Sequence, residues 1–149
     1  MFSHLKMLAL CLMFVASFGL VGAAWAGQKL PFRGHAEVSL ISADPQPDGV
    51  HVTAVGTAEA THLGRCDRVE HLVLNGPTID GTITFVAANG DKLCAHVSGA
   101  FDSDKTAGGT YTFSGGTGRL VHASGGAEWS AVTSDGVHFS ITFEGTISY

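Results

Sequence analysis

The sequence predicts an all-β fold: a closed antiparallel barrel of about eight strands, following an N-terminal segment that is removed. Three observations carry this expectation. Apolar and polar residues alternate with period two from residue 27 to the C-terminus, the pattern of strands with one face buried. No window of that stretch repeats apolar residues at helical spacing. Many of the 20 glycines fall inside strand-like runs. Glycine weakens a strand unless the chain must bend sharply there, as at the corners of a barrel. Closure also removes the exposed edges that an open antiparallel sheet must protect.

The first element is not part of the barrel. Met1 to Ala26 read as a secretory signal, with Lys6 as the positive start. The apolar run Met7–Ala16 follows, and Ala24-Trp25-Ala26 forms a small-x-small cleavage site. That run falls short of the roughly 20 apolar residues of a bilayer span, which favours a cleaved signal over a retained anchor. The expected product is a single soluble domain over residues 27–149, secreted or periplasmic.

Eight strand-like runs follow in order: residues 34–42, 50–61, 68–74, 79–88, 93–101, 110–114, 126–132 and 137–149. The last is the clearest. Val137, Phe139, Ile141, Phe143, Ile147 and Tyr149 share one parity, and His138, Ser140, Thr142, Glu144, Thr146 and Ser148 take the other. Turn residues separate the runs: Asp44 to Gly49, Asn75-Gly76-Pro77, Ala88 to Lys92 and Ser134-Asp135-Gly136. For the hairpin around Asn89-Gly90, an odd-length loop with a bulge keeps one face apolar. It pairs Phe85 with Ala95 and Ile83 with Val97.

Charge and cysteine usage narrow the function classes. The chain has 13 acidic and 8 basic residues, a net charge of −5, with no basic stripe. Nucleic acid and anionic lipid are therefore not expected partners. Cys11 leaves with the signal, so Cys66 and Cys94 remain in an oxidising compartment, where two cysteines usually pair. Cys66–Cys94 is the candidate disulfide. Strand parity points the other way, because Cys94 falls with His96 and Ser98 on the polar side and Cys66 with Leu72 and Leu74 on the apolar side. The histidines form no i, i+2 pair and the cysteines are far apart, so no metal site and no cofactor are expected.

Three segments carry a resemblance: Gly56-Thr57-Ala58-Glu59-Ala60-Thr61-His62-Leu63-Gly64-Arg65, then Ala87-Ala88-Asn89-Gly90-Asp91, then Ser114-Gly115-Gly116-Thr117-Gly118-Arg119-Leu120. Together they resemble a group of secreted bacterial small β-barrel proteins, largely uncharacterised. The Gly-Gly-Thr-Gly segment with Ala123-Ser124-Gly125 is also similar to one in plant dirigent proteins, which belong with allene oxide cyclases. The resemblance implies a calycin-like barrel with an apolar interior. Plant relatives use that interior to guide a reactive apolar intermediate without a cofactor. The resemblance does not map their catalytic acids onto this chain, since only the glycine segment matches.

The candidate interior lining is Phe85, Tyr111, Phe113, Trp129, Phe139 and Phe143, which fall on the apolar parity of their strands. Such rings either fill a small barrel or line a cavity that holds one ligand. Inward neighbours as small as Ala54, Gly56, Ala58, Ala95 and Ala131 leave room for the second outcome. His62 joins the candidates from the most distinctive segment of the resemblance, with two roles open: contacting a ligand at the barrel mouth, or fixing a strand bend. Glu59, Glu70, His71 and Glu128 would supply acid–base chemistry only if two of them faced inward together. No Gly-x-Ser-x-Gly elbow supports a hydrolase, and Gly115 to Gly118 lack the lysine and helix of a phosphate loop. The expected function is binding of a small apolar molecule, ahead of catalysis. The alternatives are a cofactor-free isomerase or cyclase of the dirigent type, a filled structural barrel, and a small outer-membrane barrel.

Overall fold

The computed structural model describes residues 27–149; the signal segment expected over residues 1–26 lies outside them. Period-two alternation becomes eight strands: β1 (Leu30–Gln46), β2 (Gly49–Ala60), β3 (Gly64–Asn75), β4 (Thr78–Ala87), β5 (Lys92–Phe101), β6 (Thr106–Gly116), β7 (Ser124–Thr133) and β8 (His138–Ser148). Each pairs antiparallel with the next, and β8 returns to β1 from Leu30↔Ile147 to Ser39↔His138, closing the barrel. A single 3₁₀ turn over Gly118–Leu120 links β6 to β7. The apolar parity turns inward. On β8, Ile141, Phe143 and Ile147 are buried while Ser140, Thr142 and Glu144 face out. This is the reverse of a lipid-facing barrel, whose apolar residues point outward.

The strands run further than alternation alone indicates. β1 continues to Gln46, pairing Pro45 with Val50, so only Pro47 and Asp48 remain as the turn. Proline is tolerated there because β8 pairs with β1 only as far as Ser39, leaving that side of β1 without a ladder partner. β6 begins at Thr106, since Gly108 and Gly109 sit within the strand rather than ending it. A bulge between Leu40 and Ser42 pushes Ile41 outward, 61% exposed. Val137 leaves the last strand instead: Asp135 accepts hydrogen bonds from the Val137 and His138 backbone N–H groups, both at 2.8 Å, and builds a turn.

Two expectations are corrected. The β4–β5 hairpin pairs Phe85 with Leu93 and Ile83 with Ala95, a shift of two residues that keeps the predicted face but not the partners. The loop is tighter than expected. Gly90 N–H donates to the Ala87 carbonyl at 2.9 Å, and Gly90 takes φ +89°, the left-handed position that ends a short bulged hairpin. The Cys66–Cys94 disulfide does not form. Cys66 is buried on β3 and Cys94 lies on β5 with its parity outward; β4 runs between them. Two strand spacings, roughly 9–10 Å, exceed the reach of a disulfide. Burial pushes the Cys66 thiol up, which makes it an unreactive core group.

The barrel has two unlike ends. The β2–β3, β4–β5 and β6–β7 connections and both ends of the described chain gather at one; the other four hairpin turns gather at the opposite end.

Candidate ligand site

One half of the barrel is filled by aromatic rings. Phe32 lies 4.8 Å from Phe113 and 5.4 Å from Phe143, centroid to centroid, and Phe143 lies 5.9 Å from Phe85. Leu93, Leu120 and Ile147 complete this plug, all fully buried. Glycine sets where the rings lie. A Cβ on Gly34 would come within 2.8 Å of the Phe143 ring, and one on Gly99 within 2.6 Å of the Trp129 indole. Both distances are closer than carbon atoms pack.

The other half is hollow. A cavity of about 60 Å³ lies among Val38, Val52, Ala54, Val97, Ala107 and Ala131, whose side chains are too small to meet at the axis. The half-buried Leu40, Leu72, Leu74, Phe101 and Phe139 ring its mouth. A cavity needs roughly 10–15 Å³ of such volume to hold one water, so this one admits several waters or a small ligand.

A polar network forms its floor. Cys66, Arg68, Glu70, Leu72 and Leu74 share one parity on β3, so the strand that presents leucines at the mouth also carries Arg68 and Glu70 into the barrel. Arg68 is 1% exposed and Glu70 4%. Arg68 Nε donates to Glu70 Oε1 at 2.5 Å, and Nη2 donates to the Tyr111 hydroxyl at 2.7 Å. The guanidinium also lies 5.3 Å from the Phe85 and Tyr111 ring centres and 6.0 Å from that of Phe143. It therefore caps the aromatic plug with favourable cation–π contacts. Burial works against the arginine's charge, but Tyr111 and Glu70 outweigh it and hold the guanidinium protonated. Burial pushes the Tyr111 hydroxyl up to about 12, with Arg68 pulling against it. Tyr111 therefore stays a neutral donor at ordinary pH. Trp129 stacks on Tyr111 at 6.0 Å with a 13° interplanar angle and forms part of the cavity wall.

The predicted lining residues divide between the halves. Tyr111, Trp129 and Phe139 line the cavity, whereas Phe85, Phe113 and Phe143 belong to the plug. His62 lies at the plugged end, away from the mouth. Its Nε2 donates to the Pro31 carbonyl at 2.8 Å, which fixes the tautomer, so Nδ1 accepts from the Tyr149 hydroxyl at 3.2 Å. These bonds hold a backbone turn at φ +69°, a left-handed conformation costly for a residue with a Cβ. Arg119 donates to the His62 carbonyl, lies over the Tyr149 ring and pairs with Asp91 at 3.6 Å. Of the acid–base candidates, only Glu70 turns inward; Glu59, His71 and Glu128 face solvent. Among the described residues, no group of three or more His, Cys, Asp or Glu is placed to hold a metal. Sequence reasoning missed Arg68. The signal was available, since Arg68 stands between Cys66 and Glu70 on the parity that ends in Leu72 and Leu74.

Solved structures of the same shape decide the fold type. Two pterocarpan synthase dirigent proteins superpose on this barrel. PsPTS1 does so with a TM-score of 0.53 and 11% identity, over 82% of this chain and 94% of that one. GePTS1 has a TM-score of 0.54 and 15% identity, over 82% and 88%. The chain folds as a dirigent-type barrel. No protein-family model and no curated protein matches the sequence. At these identities the dirigent likeness extends to the fold and not to activity.

Proposed function

We propose that this protein is an exported dirigent-type barrel that binds a small, mostly apolar molecule in its hollow half, oriented by the Arg68–Glu70–Tyr111 floor. One observation carries the reading: a buried ion pair stands at the bottom of an otherwise apolar cavity. Such a pair adds little to stability compared with well-packed apolar residues. Apolar walls with a few convergent polar groups are the usual make-up of a small-molecule site. Export is supported by the signal-like Met1–Ala26 segment.

The test is ligand-observed NMR with benzene and cyclohexanone on the protein and on an Ala131→Leu variant, which places a larger side chain in the cavity. Saturation transfer to at least one probe, abolished in the variant, is the expected result. No transfer, or equal transfer in both proteins, refutes the reading.

A second reading, cofactor-free cyclisation, is favoured by Glu70 and Tyr111 reaching the same chamber, and by neighbours that are pterocarpan synthases. A carboxylate and a hydroxyl beside a bound apolar molecule supply a proton acceptor and a donor. In that case Glu70→Gln would keep binding and lose turnover.

A further inference from the structure

The floor of the cavity holds hydrogen-bond donors that no protein acceptor meets. Among the described residues, the buried side-chain polar atoms left without a partner are Arg68 Nη1 and Trp129 Nε1. Both are donors, and both residues line the cavity. The Tyr111 hydroxyl oxygen already accepts from Arg68, so its own proton is a third donor at the same place. An unpartnered buried donor costs about 1–3 kcal/mol, so an acceptor brought in by a ligand gains what the empty site forgoes. Charge narrows the choice. Glu70 already matches the Arg68 charge at 2.5 Å, and an anionic ligand would add an uncompensated negative charge inside an apolar chamber.

Resting on the binding function proposed above, we infer that the cavity selects neutral apolar ligands bearing a carbonyl oxygen, received by the Tyr111 hydroxyl at the cavity floor. Arg68 is a positioning residue in this scheme. Its Nη2–H donates to the Tyr111 oxygen, which polarises the phenolic O–H and strengthens its donation to the ligand. The small cavity holds the carbonyl and its nearest carbons, and the rest of a longer ligand extends between the mouth residues Leu72, Phe101 and Phe139.

The test compares three probes of one skeleton: cyclohexanone, methylcyclohexane and cyclohexanecarboxylate. Dissociation constants are measured by ligand-observed NMR for the native protein and Tyr111→Phe. The ketone is expected to bind about tenfold tighter than the hydrocarbon, the worth of one net hydrogen bond, and the carboxylate weakest of all. Tyr111→Phe should erase the ketone preference while keeping hydrocarbon binding. A second readout uses the native protein alone: the carbon resonance of labelled cyclohexanone should move downfield on binding, as a hydrogen-bonded carbonyl does. Equal binding of ketone and hydrocarbon, tightest binding of the carboxylate, or an unmoved carbonyl resonance overturns the inference but leaves the binding function standing. Binding of none of these probes, nor of benzene, overturns both.

Discussion

The two halves of this barrel are built from the same strands with the same alternation, yet one is solid and the other hollow. At the plugged end, inward positions of β1, β4, β6 and β8 carry Phe32, Phe85, Phe113 and Phe143, whose rings meet across the axis. At the mouth end, inward positions of β1, β2, β6 and β7 carry Val38, Val52, Ala54, Ala107 and Ala131, and space remains. Alternation decides which side chains point inward; their volume decides whether the interior is a core or a chamber. The Arg68–Glu70–Tyr111 network lies at the boundary, capping the plug on one side and flooring the chamber on the other.

The largest effect is expected at that boundary. Arg68→Met leaves Glu70 buried without its partner and should cost about 3–5 kcal/mol in urea unfolding. The double variant Arg68→Met/Glu70→Leu should recover most of that loss, because removing both charges also removes their desolvation. A double variant as unstable as the single would show that the network is needed for folding, and would weaken the case for a ligand role.

The halves themselves should differ next. Phe85→Ala opens a void in the plug and should cost about 3–5 kcal/mol, whereas Leu72→Ala at the half-buried mouth should cost at most about 2 kcal/mol. Comparable losses at both positions would erase the distinction. Ala131→Leu places its added atoms in existing space, so stability should stay within about 1 kcal/mol of the native protein. A larger loss would mean that the chamber is already full.

A smaller effect appears at alkaline pH. The folded state raises the Tyr111 hydroxyl from 10.0 to about 12. Its contribution to stability is therefore complete below pH 10.0 and is lost as pH rises through about 12. The difference in urea midpoint between the native protein and Tyr111→Phe should be constant below that window and change within it. A difference independent of pH would place Tyr111 in a more solvated setting than the hollow half provides.

The strands were legible in the sequence because period-two alternation is a local property, and the glycines and turn residues marked the corners. Pairing partners were less so: the β4–β5 register depends on the length of one bulged turn, which slides Phe85 from Ala95 to Leu93 without changing its face. The division into halves was not legible, because it depends on which inward residues share a level of the barrel. Phe85 and Phe139 read alike in sequence, but one lies in the plug and the other at the mouth. Arg68 was hidden by expectation, since a charged residue on the apolar parity looks like an interruption until Glu70 and Tyr111 are seen to pair with it. His62 drew notice through its segment, and its imidazole lies in hydrogen-bond contact with Pro31 and Tyr149 at the plugged end.

The most direct test of the hollow half is to titrate the protein with benzene and follow two assigned signals by NMR: the Trp129 indole N–H and the His62 imidazole protons. A shift at Trp129 that saturates, with His62 unmoved, is the expected result and places the ligand in the chamber above the Arg68 floor. Movement at His62 alone, or at neither residue, would contradict a binding chamber at this end of the barrel.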